Sequence, residues 1–491
     1  MYIVRESPQP PSFLPIPDLV RGLGGAPEPF SILEATRPIH VRGISTDTRT
    51  IRPGDLYVAI PGKTFDGHDY VGEAFAKGAS GAVVNSQCRI PNVERTKSEP
   101  GSAEFDIRNS TFGIPPGRFL VRVEDTVASL GRLAAFCRRR FAGKVVGITG
   151  SSGKTTTKEM VAQLLDGEGE VVKARGSFNN HIGLPMTILE ADLRTRLLVL
   201  EIGTSGPGEI ERLGLIARPD IGIVTTVGPC HLEGLGSVEG IAREKASLLR
   251  CLAPGGLAIL NADNDWTRAM AMAAPYRVVT FSAGRTDADY RAENVALEPF
   301  GSRFAVRGVD FHLPVPGAWN IGNALAAVAV GEAIGVPLPV AAARLEAYVP
   351  PPMRMQKMIR GGITFLNDAY NANPMSVAAA LEAFAGMACG DRSGRKVIVL
   401  GDMLELGGES DRYHREIGEK MAASPPDVLV TVGKQAALAG TVAGLPDWRR
   451  FGQTREVARE AGALFLPGDL VLLKGSRGMG LERILEAIKP T

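Results

Sequence analysis

The stretch GITGSSGKTT at residues 147–156 directly follows a short apolar run and departs from the common phosphate-loop pattern. In G-x-x-x-x-G-K-[ST] the first glycine would fall at residue 148, where this chain has isoleucine. Glycine instead recurs at every third residue: Gly147, Gly150 and Gly153. Apolar residues at helical spacing follow Lys154, so the segment is predicted to be a strand, a glycine loop and a helix. That setting supports a phosphate loop.

A loop of this kind binds phosphate with its backbone N–H groups, and the N-terminus of the following helix adds positive potential. Lys154 can reach the outer phosphates, and the Thr155 hydroxyl can bind Mg²⁺. The predicted nucleotide contacts are Gly150, Ser151, Ser152, Gly153, Lys154, Thr155 and Thr156. The loop predicts ATP or GTP as ligand without choosing between a kinase, a motor, a switch and a ligase.

The order of segments predicts an α/β protein of about three domains, as a chain of 491 residues suggests. Between residue 144 and about residue 345 apolar strands alternate with helical segments, which indicates a parallel sheet covered on both faces. Three prolines near residue 350 indicate a linker, and a third α/β pattern follows between residues 363 and 476. The predicted parts are an N-terminal extension (1–28), a first domain (29–142) with an inserted loop (88–118), a central domain (143–347) and a C-terminal domain (348–491).

The bulk composition is that of a globular protein, with 44% hydrophobic and 22% charged residues and a net charge of +2. This small charge gives no reason to expect nucleic acid or a membrane surface as a partner. The five cysteines are odd in number and lack C-x-x-C spacing, which argues against a disulfide framework or a zinc site. The N-terminus does not resemble a signal peptide, and no apolar stretch reaches the roughly 18 residues that span a bilayer. We therefore expect a cytoplasmic protein.

Two polar residues follow later apolar strands of the central domain. Glu201 ends the strand 197–201, and His231 lies just beyond the strand that begins at residue 221. Ligands of open α/β sheets gather at the carboxyl ends of the strands, so both are candidate metal ligands near the loop. The alternatives are a solvated glutamate and a core or capping histidine. Lys245, on a predicted helix, would by itself most simply be a solvated lysine.

Eight further segments, taken with the loop, resemble the Mur ligase family over residues 42–491. They are STDTR (45–49), VAIPGKTFDGHDYV (58–71), GSFNNHIGLP (176–185), EIGTSGPGEIERL (201–213), HLEGLGSVEGIAREKASLL (231–249), NDAYNANPMS (367–376), LGDMLELG (400–407) and LLKGSRGMG (472–480). The resemblance implies a central phosphate-loop ATPase domain, an N-terminal UDP-binding domain and a C-terminal Rossmann-like domain.

The resemblance also implies roles for individual residues. Glu201, His231 and Lys245 would join Thr155 as ligands of two Mg²⁺ ions, with Lys245 carbamylated. Arg354 and Asp368 would act on ATP with Lys154, and Asn320 and Asn323 would lie beside the adenine. The implied contacts to the other substrates are Ser45, Thr46, Asp47, Arg49, Asp66, Gly67, His68, Asn180, Tyr370, Asn371 and Asn373.

Within this family, the segments DAYNANP and GDMLELG resemble those of the members that join D-alanyl-D-alanine to UDP-N-acetylmuramoyl-tripeptide. That reaction activates a carboxylate as an acyl phosphate at the expense of ATP, and we expect a monomeric enzyme. A folylpolyglutamate synthase is one alternative, but it would lack both segments. A regulatory protein with a dead active site is another, but it would be expected to have lost Lys154, Glu201 or His231.

Overall fold

The computed structural model describes residues 22–23, 41–62, 64–86, 118–389 and 394–488. Of the predicted N-terminal extension (1–28) only residues 22–23, and of the predicted insertion (88–118) only residue 118, lie within this part. The described residues belong to two compact units. The first takes in parts of Met1–Val145, Gly169–Leu200 and Leu215–Arg218, and the second takes in parts of Val146–Glu168, Glu201–Gly214 and Pro219–Thr491.

The described strands are β1 (Gly43–Ser45), β2 (Asp55–Val58), β3 (Gly81–Asn85), β4 (Phe119–Val123), β5 (Lys144–Thr149), β6 (Glu170–Lys173), β7 (Thr195–Glu201), β8 (Ile221–Val224), β9 (Leu257–Asn261), β10 (Arg277–Ser282), β11 (Tyr290–Arg291), β12 (Glu293–Glu298), β13 (Gly301–Val306), β14 (Val309–Leu313), β15 (Gln356–Arg360), β16 (Ile363–Asp368), β17 (Lys396–Gly401), β18 (Val428–Val432), β19 (Trp448–Phe451) and β20 (Leu470–Lys474).

The described α-helices are α1 (Val71–Ala76), α2 (Thr126–Arg140), α3 (Lys154–Leu164), α4 (Gly183–Leu189), α5 (Glu209–Ala217), α6 (Leu232–Leu235), α7 (Val238–Arg250), α8 (Asp265–Met272), α9 (Ala318–Ile334), α10 (Leu338–Glu346), α11 (Pro374–Ala385), α12 (Ser410–Ala423), α13 (Lys434–Ala443), α14 (Thr454–Leu464) and α15 (Arg483–Glu486). No helix of the described ranges is both long enough and apolar enough to cross a bilayer.

The first unit contains a parallel sheet with the strand order β1-β2-β3-β4. All four residues of β2 are buried, and four of the five residues of β3 are buried. Such burial is expected for parallel strands whose two faces are both covered. In the same unit β6 and β7 also pair in parallel.

The second unit contains a parallel sheet in which β11, β10, β9, β8 and β5 are neighbours in that order. The carboxyl end of β5 leads into the glycine loop and then α3, as predicted. One part of the prediction was wrong, because the βα pattern does not continue to residue 345. The chain forms an antiparallel sheet instead, in the order β12-β13-β14, and the two turns between these strands are too short for a helix.

The second unit also contains a six-stranded sheet in the order β15-β16-β20-β17-β18-β19. Its strands are parallel except for the antiparallel pair β15 and β16. One buried apolar cluster contains Val224 of β8 and Leu260 of β9 together with residues of the six-stranded sheet: Leu366, Leu400 and Leu472. The prolines near residue 350 lie between α10 and β15, where the chain has no helix or strand. The predicted domain boundaries stay predictions.

Candidate active site

Two glycines with positive φ shape the loop between β5 and α3. Gly150 has a φ of +153°, and a Cβ there would lie 1.9 Å from Thr225 Oγ1. Gly153 has a φ of +83°, and a Cβ there would lie 2.4 Å from Asn323 Oδ1. Because neither position has room for a side chain, glycine is required at both, and the loop packs closely against Thr225 and Asn323.

Neighbouring segments hold the loop in place. Ser151 Oγ donates to the carbonyl of Gly228 at 2.9 Å and accepts from its N–H at 3.0 Å. Asn373, just before α11, donates from Nδ2 to the carbonyl of Ser151 at 3.1 Å. Lys154 Nζ donates to the Gly150 carbonyl at 2.7 Å, so this amine lies over the loop. The loop thus has the donors and the positive charge of an anion site.

A threonine, a glutamate and an arginine meet at the start of α3. Thr155 Oγ1 donates to Glu201 Oε2 at 2.8 Å, and the glutamate is only 1% exposed. Arg354 Nη2 donates to Thr155 Oγ1 at 3.2 Å. Arg354 Nε is buried without a hydrogen-bond partner in the described part of the chain. The structure therefore brings these three predicted residues together and leaves one arginine donor for a ligand.

A cavity of about 340 Å³ opens beside this cluster. Predicted residues from three parts of the chain line it: Ser152, Gly153, Thr156, Asn320, Asn323, Arg354 and Asp368. The two asparagines are joined, since Asn323 Nδ2 donates to Asn320 Oδ1 at 3.2 Å. A single cavity thus links the phosphate loop to the predicted adenine side.

His231 lies in a smaller cavity of about 80 Å³, together with Cys230, Asn371, Asn373, Glu405 and Arg477. It has a φ of +51°, and its Nδ1 forms a very short hydrogen bond with Glu405 Oε2. This bond lowers the pKa of Glu405, as expected when a partner favours the charged carboxylate. The sequence analysis did not select Glu405, although it lies inside the quoted segment LGDMLELG.

Lys245 is not the solvated lysine that its position on a helix would suggest. It is 1% exposed on α7, and burial, together with the charge of Lys154, lowers the pKa of its amine to about 8. Cys230 and Glu244 oppose the shift. Among the described residues, no hydrogen bond or ion pair of this amine is present. Glu244 instead accepts from the N–H groups of Gly208 and Ile210.

Two further predicted C-terminal residues, Tyr370 and Asp368, lie beside Arg354. The Tyr370 ring lies 4.1 Å from the arginine Cζ, and Asn371 lines the smaller cavity. Asp368 does more than line the larger cavity: its Oδ1 accepts from the N–H of Met355 at 3.1 Å, and its Oδ2 lies 2.8 Å from Lys474 Nζ. The sequence analysis did not select Lys474 either, although it lies in LLKGSRGMG.

The predicted contacts to the UDP-linked substrate lie in the first unit, where two clusters form. In the first cluster Ser45 Oγ donates to the carbonyl of Asp47, beside Thr46, and Asp47 forms an ion pair with Arg49 at 2.6 Å.

The second cluster follows β2. His68 Nδ1 lies 2.6 Å from Asp66 Oδ1, and His68 Nε2 accepts from the N–H of Asn85. Gly67 accepts from the Tyr57 hydroxyl. Both ring nitrogens of His68 therefore have protein partners. Asn180 lies elsewhere in this unit, shortly before α4, and its Oδ1 accepts from the N–H groups of Ile182 and Gly183.

Within the described ranges, no three His, Cys, Asp or Glu side chains are grouped as a metal centre. Mg²⁺, however, often uses one or two protein oxygens together with water and substrate phosphates. The adjacent oxygens of Thr155 and Glu201 fit that requirement.

Comparison with known proteins gives matches along most of the chain. The Mur ligase family, catalytic domain, matches residues 40–107, the Mur ligase middle domain matches 148–331, and the Mur ligase, glutamate ligase domain, matches 353–477. The UDP-N-acetylmuramoyl-tripeptide–D-alanyl-D-alanine ligase of Bacillus subtilis is 33% identical, covering 91% of this chain and 93% of the relative. The enzyme of the same name from Escherichia coli is 34% identical, covering 92% and 94%.

Solved structures give the same result. A MurF structure from Acinetobacter baumannii has a TM-score of 0.82 and 28% identity, covering 98% of this chain and 99% of its own. The MurF ligase of Thermotoga maritima in complex with ADP has a TM-score of 0.74 and 27% identity, covering 91% and 97%. The three-domain α/β architecture inferred from the sequence is thereby confirmed, and the chain belongs to the Mur ligase family.

Proposed function

We propose that this chain is the ATP-dependent ligase that joins D-alanyl-D-alanine to UDP-N-acetylmuramoyl-tripeptide in peptidoglycan precursor synthesis. Its relatives of that name match it over more than nine-tenths of its length. The structural observation that carries the proposal is the contact between the phosphate loop and the C-terminal segment. Arg354 bonds to Thr155, and Asn373 bonds to Ser151. A phosphoryl group on the loop would therefore lie beside residues that can receive an incoming amine.

The proposed reaction has two steps. The terminal carboxylate of the tripeptide attacks the γ-phosphorus of ATP, which gives an acyl phosphate and releases ADP. The amine nitrogen of D-alanyl-D-alanine then attacks the acyl carbon, loses a proton, and inorganic phosphate leaves. Lys154 and Arg354 stabilise negative charge on the transferring phosphoryl group, which is the protein's main contribution to rate.

Mg²⁺ is part of the proposal, with Thr155 and Glu201 as ligands of a first ion and His231 with Lys245 near a second. The ions would neutralise charge on the phosphate oxygens. Glu405 orients His231 by holding its Nδ1, which leaves Nε2 as the nitrogen available to a metal.

We further propose that Lys245 carries a carbamate. Its amine adds to CO₂ and releases a proton, and only the neutral amine can do so. With a pKa of about 8, roughly a tenth of the amine is neutral at pH 7, far more than for an ordinary lysine. The product is an anion in place of a buried cation, which suits a position near bound magnesium.

For the other substrate contacts we keep the predicted residues and propose a place for each group. Residues 45–49 and 66–68 would bind the uridine nucleotide, with Asn180 near the sugar-linked peptide. Tyr370, Asn371 and Asn373 would lie around the acceptor. The enzyme would act in the cytoplasm as a monomer, in line with four described cysteines that are all free.

A phosphate-release assay tests the proposal. Purified protein with ATP, Mg²⁺ and UDP-N-acetylmuramoyl-tripeptide should release phosphate continuously only when D-alanyl-D-alanine is added. The matched control omits the tripeptide and keeps every other component. Equal release in the presence and absence of D-alanyl-D-alanine would contradict the proposed reaction.

A further inference from the structure

Lys474 is a buried cation for which the proposed reaction has no role. It ends β20, between β16 and β17 of the six-stranded sheet, and pairs in register with Asp368 at the end of β16. It is 2% exposed, yet it lines the larger cavity beside Arg354. A buried lysine is costly unless its charge and its donors are matched.

All three ammonium donors of Lys474 have an oxygen partner. Nζ lies 2.8 Å from Asp368 Oδ2, 2.6 Å from the carbonyl of Asn371 and 3.2 Å from the carbonyl of Asp368. Burial lowers the pKa of this amine, and the Asp368 carboxylate acts in the opposite direction. An ammonium has three donors, so none is left for a nucleotide phosphate.

The same carboxylate connects Lys474 to Arg354. Asp368 Oδ1 accepts from the N–H of Met355 at 3.1 Å, one residue after the arginine. Arg354 lies between Met353 at a φ of +60° and Met355 at +50°. Two non-glycine residues with positive φ on either side of a single residue persist only where other contacts impose them. The Asp368 bond is one such contact, and a bond from Tyr370 N–H to the Met353 carbonyl at 3.3 Å is another.

We propose that Lys474 is a positioning residue, which acts through Asp368 to hold Arg354 against the threonine of the phosphate loop without touching the nucleotide. This proposal rests on the proposed function, because it assigns Arg354 to the transferring phosphoryl group. Lys474 fixes Asp368, Asp368 fixes the backbone at Met355, and that backbone sets where the guanidinium meets Thr155.

A double-mutant cycle tests this order of action. Lys474→Met should lower kcat roughly 100-fold, the size expected when one charge-stabilising group is displaced. In the Arg354→Ala background the same substitution should change kcat by less than threefold, because the group that it positions is already absent. A direct phosphate contact would instead produce a further loss of roughly 100-fold in that background and would overturn the proposal. A general support of the fold would lower kcat by equal factors in both backgrounds, and that would also overturn it.

Two additions keep the test decisive. Asp368→Asn breaks the same link from the other side and should show the same non-additivity with Arg354→Ala, even if Lys474→Met fails to fold. Binding of the ATP analogue AMP-PNP should weaken about tenfold for Lys474→Met and not further in the Arg354→Ala background. This readout does not need ligation, so it separates failure of the proposal from failure of the proposed function. Lys420→Met, an exposed lysine on α12, is the control and should match the wild type.

Discussion

Replacing Lys245 by methionine should abolish ligation and yet stabilise the carbamate-free protein at pH 7. The amine is fully buried, and burial lowers its pKa from 10.5 to about 8. This lowering of the pKa means that the folded state disfavours the charged amine by roughly 3 kcal/mol relative to the unfolded chain. Methionine keeps most of the apolar stem without the charge, so the variant should recover up to about 3 kcal/mol.

The difference in unfolding free energy between the wild type and Lys245→Met should become smaller as the pH rises. The folded pKa of Lys245 lies below that of the unfolded chain, so between pH 8 and 10.5 the unfolded state holds more protons. Wild-type stability therefore rises with pH in this window, and the advantage of the variant shrinks. Below pH 8 Lys245 is protonated in both the folded and the unfolded chain, so the full difference in stability remains.

Denaturant midpoints of wild type and Lys245→Met, measured from pH 7 to 10 in CO₂-free buffer, check this expectation. Differences between the two proteins are the right quantity, because a chain with two compact units need not unfold in two states. Lys420→Met, on the exposed face of α12, should be as stable as the wild type at every pH. If Lys245→Met were no more stable than the wild type at pH 7, or if the stability difference did not change with pH, burial would not lower the pKa of this amine. Adding bicarbonate should stabilise the wild type alone.

Three further substitutions test the loop and the histidine. Lys154→Ala should lower kcat roughly 100- to 1,000-fold with little change in the denaturant midpoint, since its charge acts on the phosphoryl group; near-normal turnover would refute the phosphate-loop assignment. Gly150→Ala should abolish AMP-PNP binding in calorimetry, because its Cβ would lie 1.9 Å from Thr225 Oγ1; retained binding would show that the loop can relax. Glu405→Gln should lower kcat about 10- to 100-fold and raise the Mg²⁺ concentration needed for half-maximal rate, because it orients His231; an unchanged Mg²⁺ dependence would contradict that role.

The features that the sequence predicted well depend on local pattern. The strand, glycine loop and helix around Lys154 have fixed spacing, and continuous apolar runs identify buried parallel strands. Glu201 follows such a run, and the structure places it against Thr155 as expected. The meander from Glu293 to Leu313 was missed because its alternating residues were interpreted as part of a longer βα series.

Residues that act through distant partners could not be predicted. Glu405 meets His231 across 174 positions of sequence, and nothing local distinguishes it from the other glutamates. Lys474 ends an apolar strand, so its charge could be seen in the sequence. Its three oxygen partners, however, belong to Asp368 and Asn371, which lie more than 100 residues earlier in the chain. Such contacts depend on the order of strands in the sheet, which spacing alone does not determine.

The central claim is the identity of the two substrates that are joined, and a competition assay measures it most directly. Purified protein is incubated with ATP, Mg²⁺ and both UDP-N-acetylmuramoyl-dipeptide and UDP-N-acetylmuramoyl-tripeptide. D-alanyl-D-alanine and free diaminopimelate are both present, and the products are identified by mass spectrometry. We predict one product, the tripeptide extended by D-alanyl-D-alanine. Addition of the free diamino acid to the dipeptide as the main product would contradict the account.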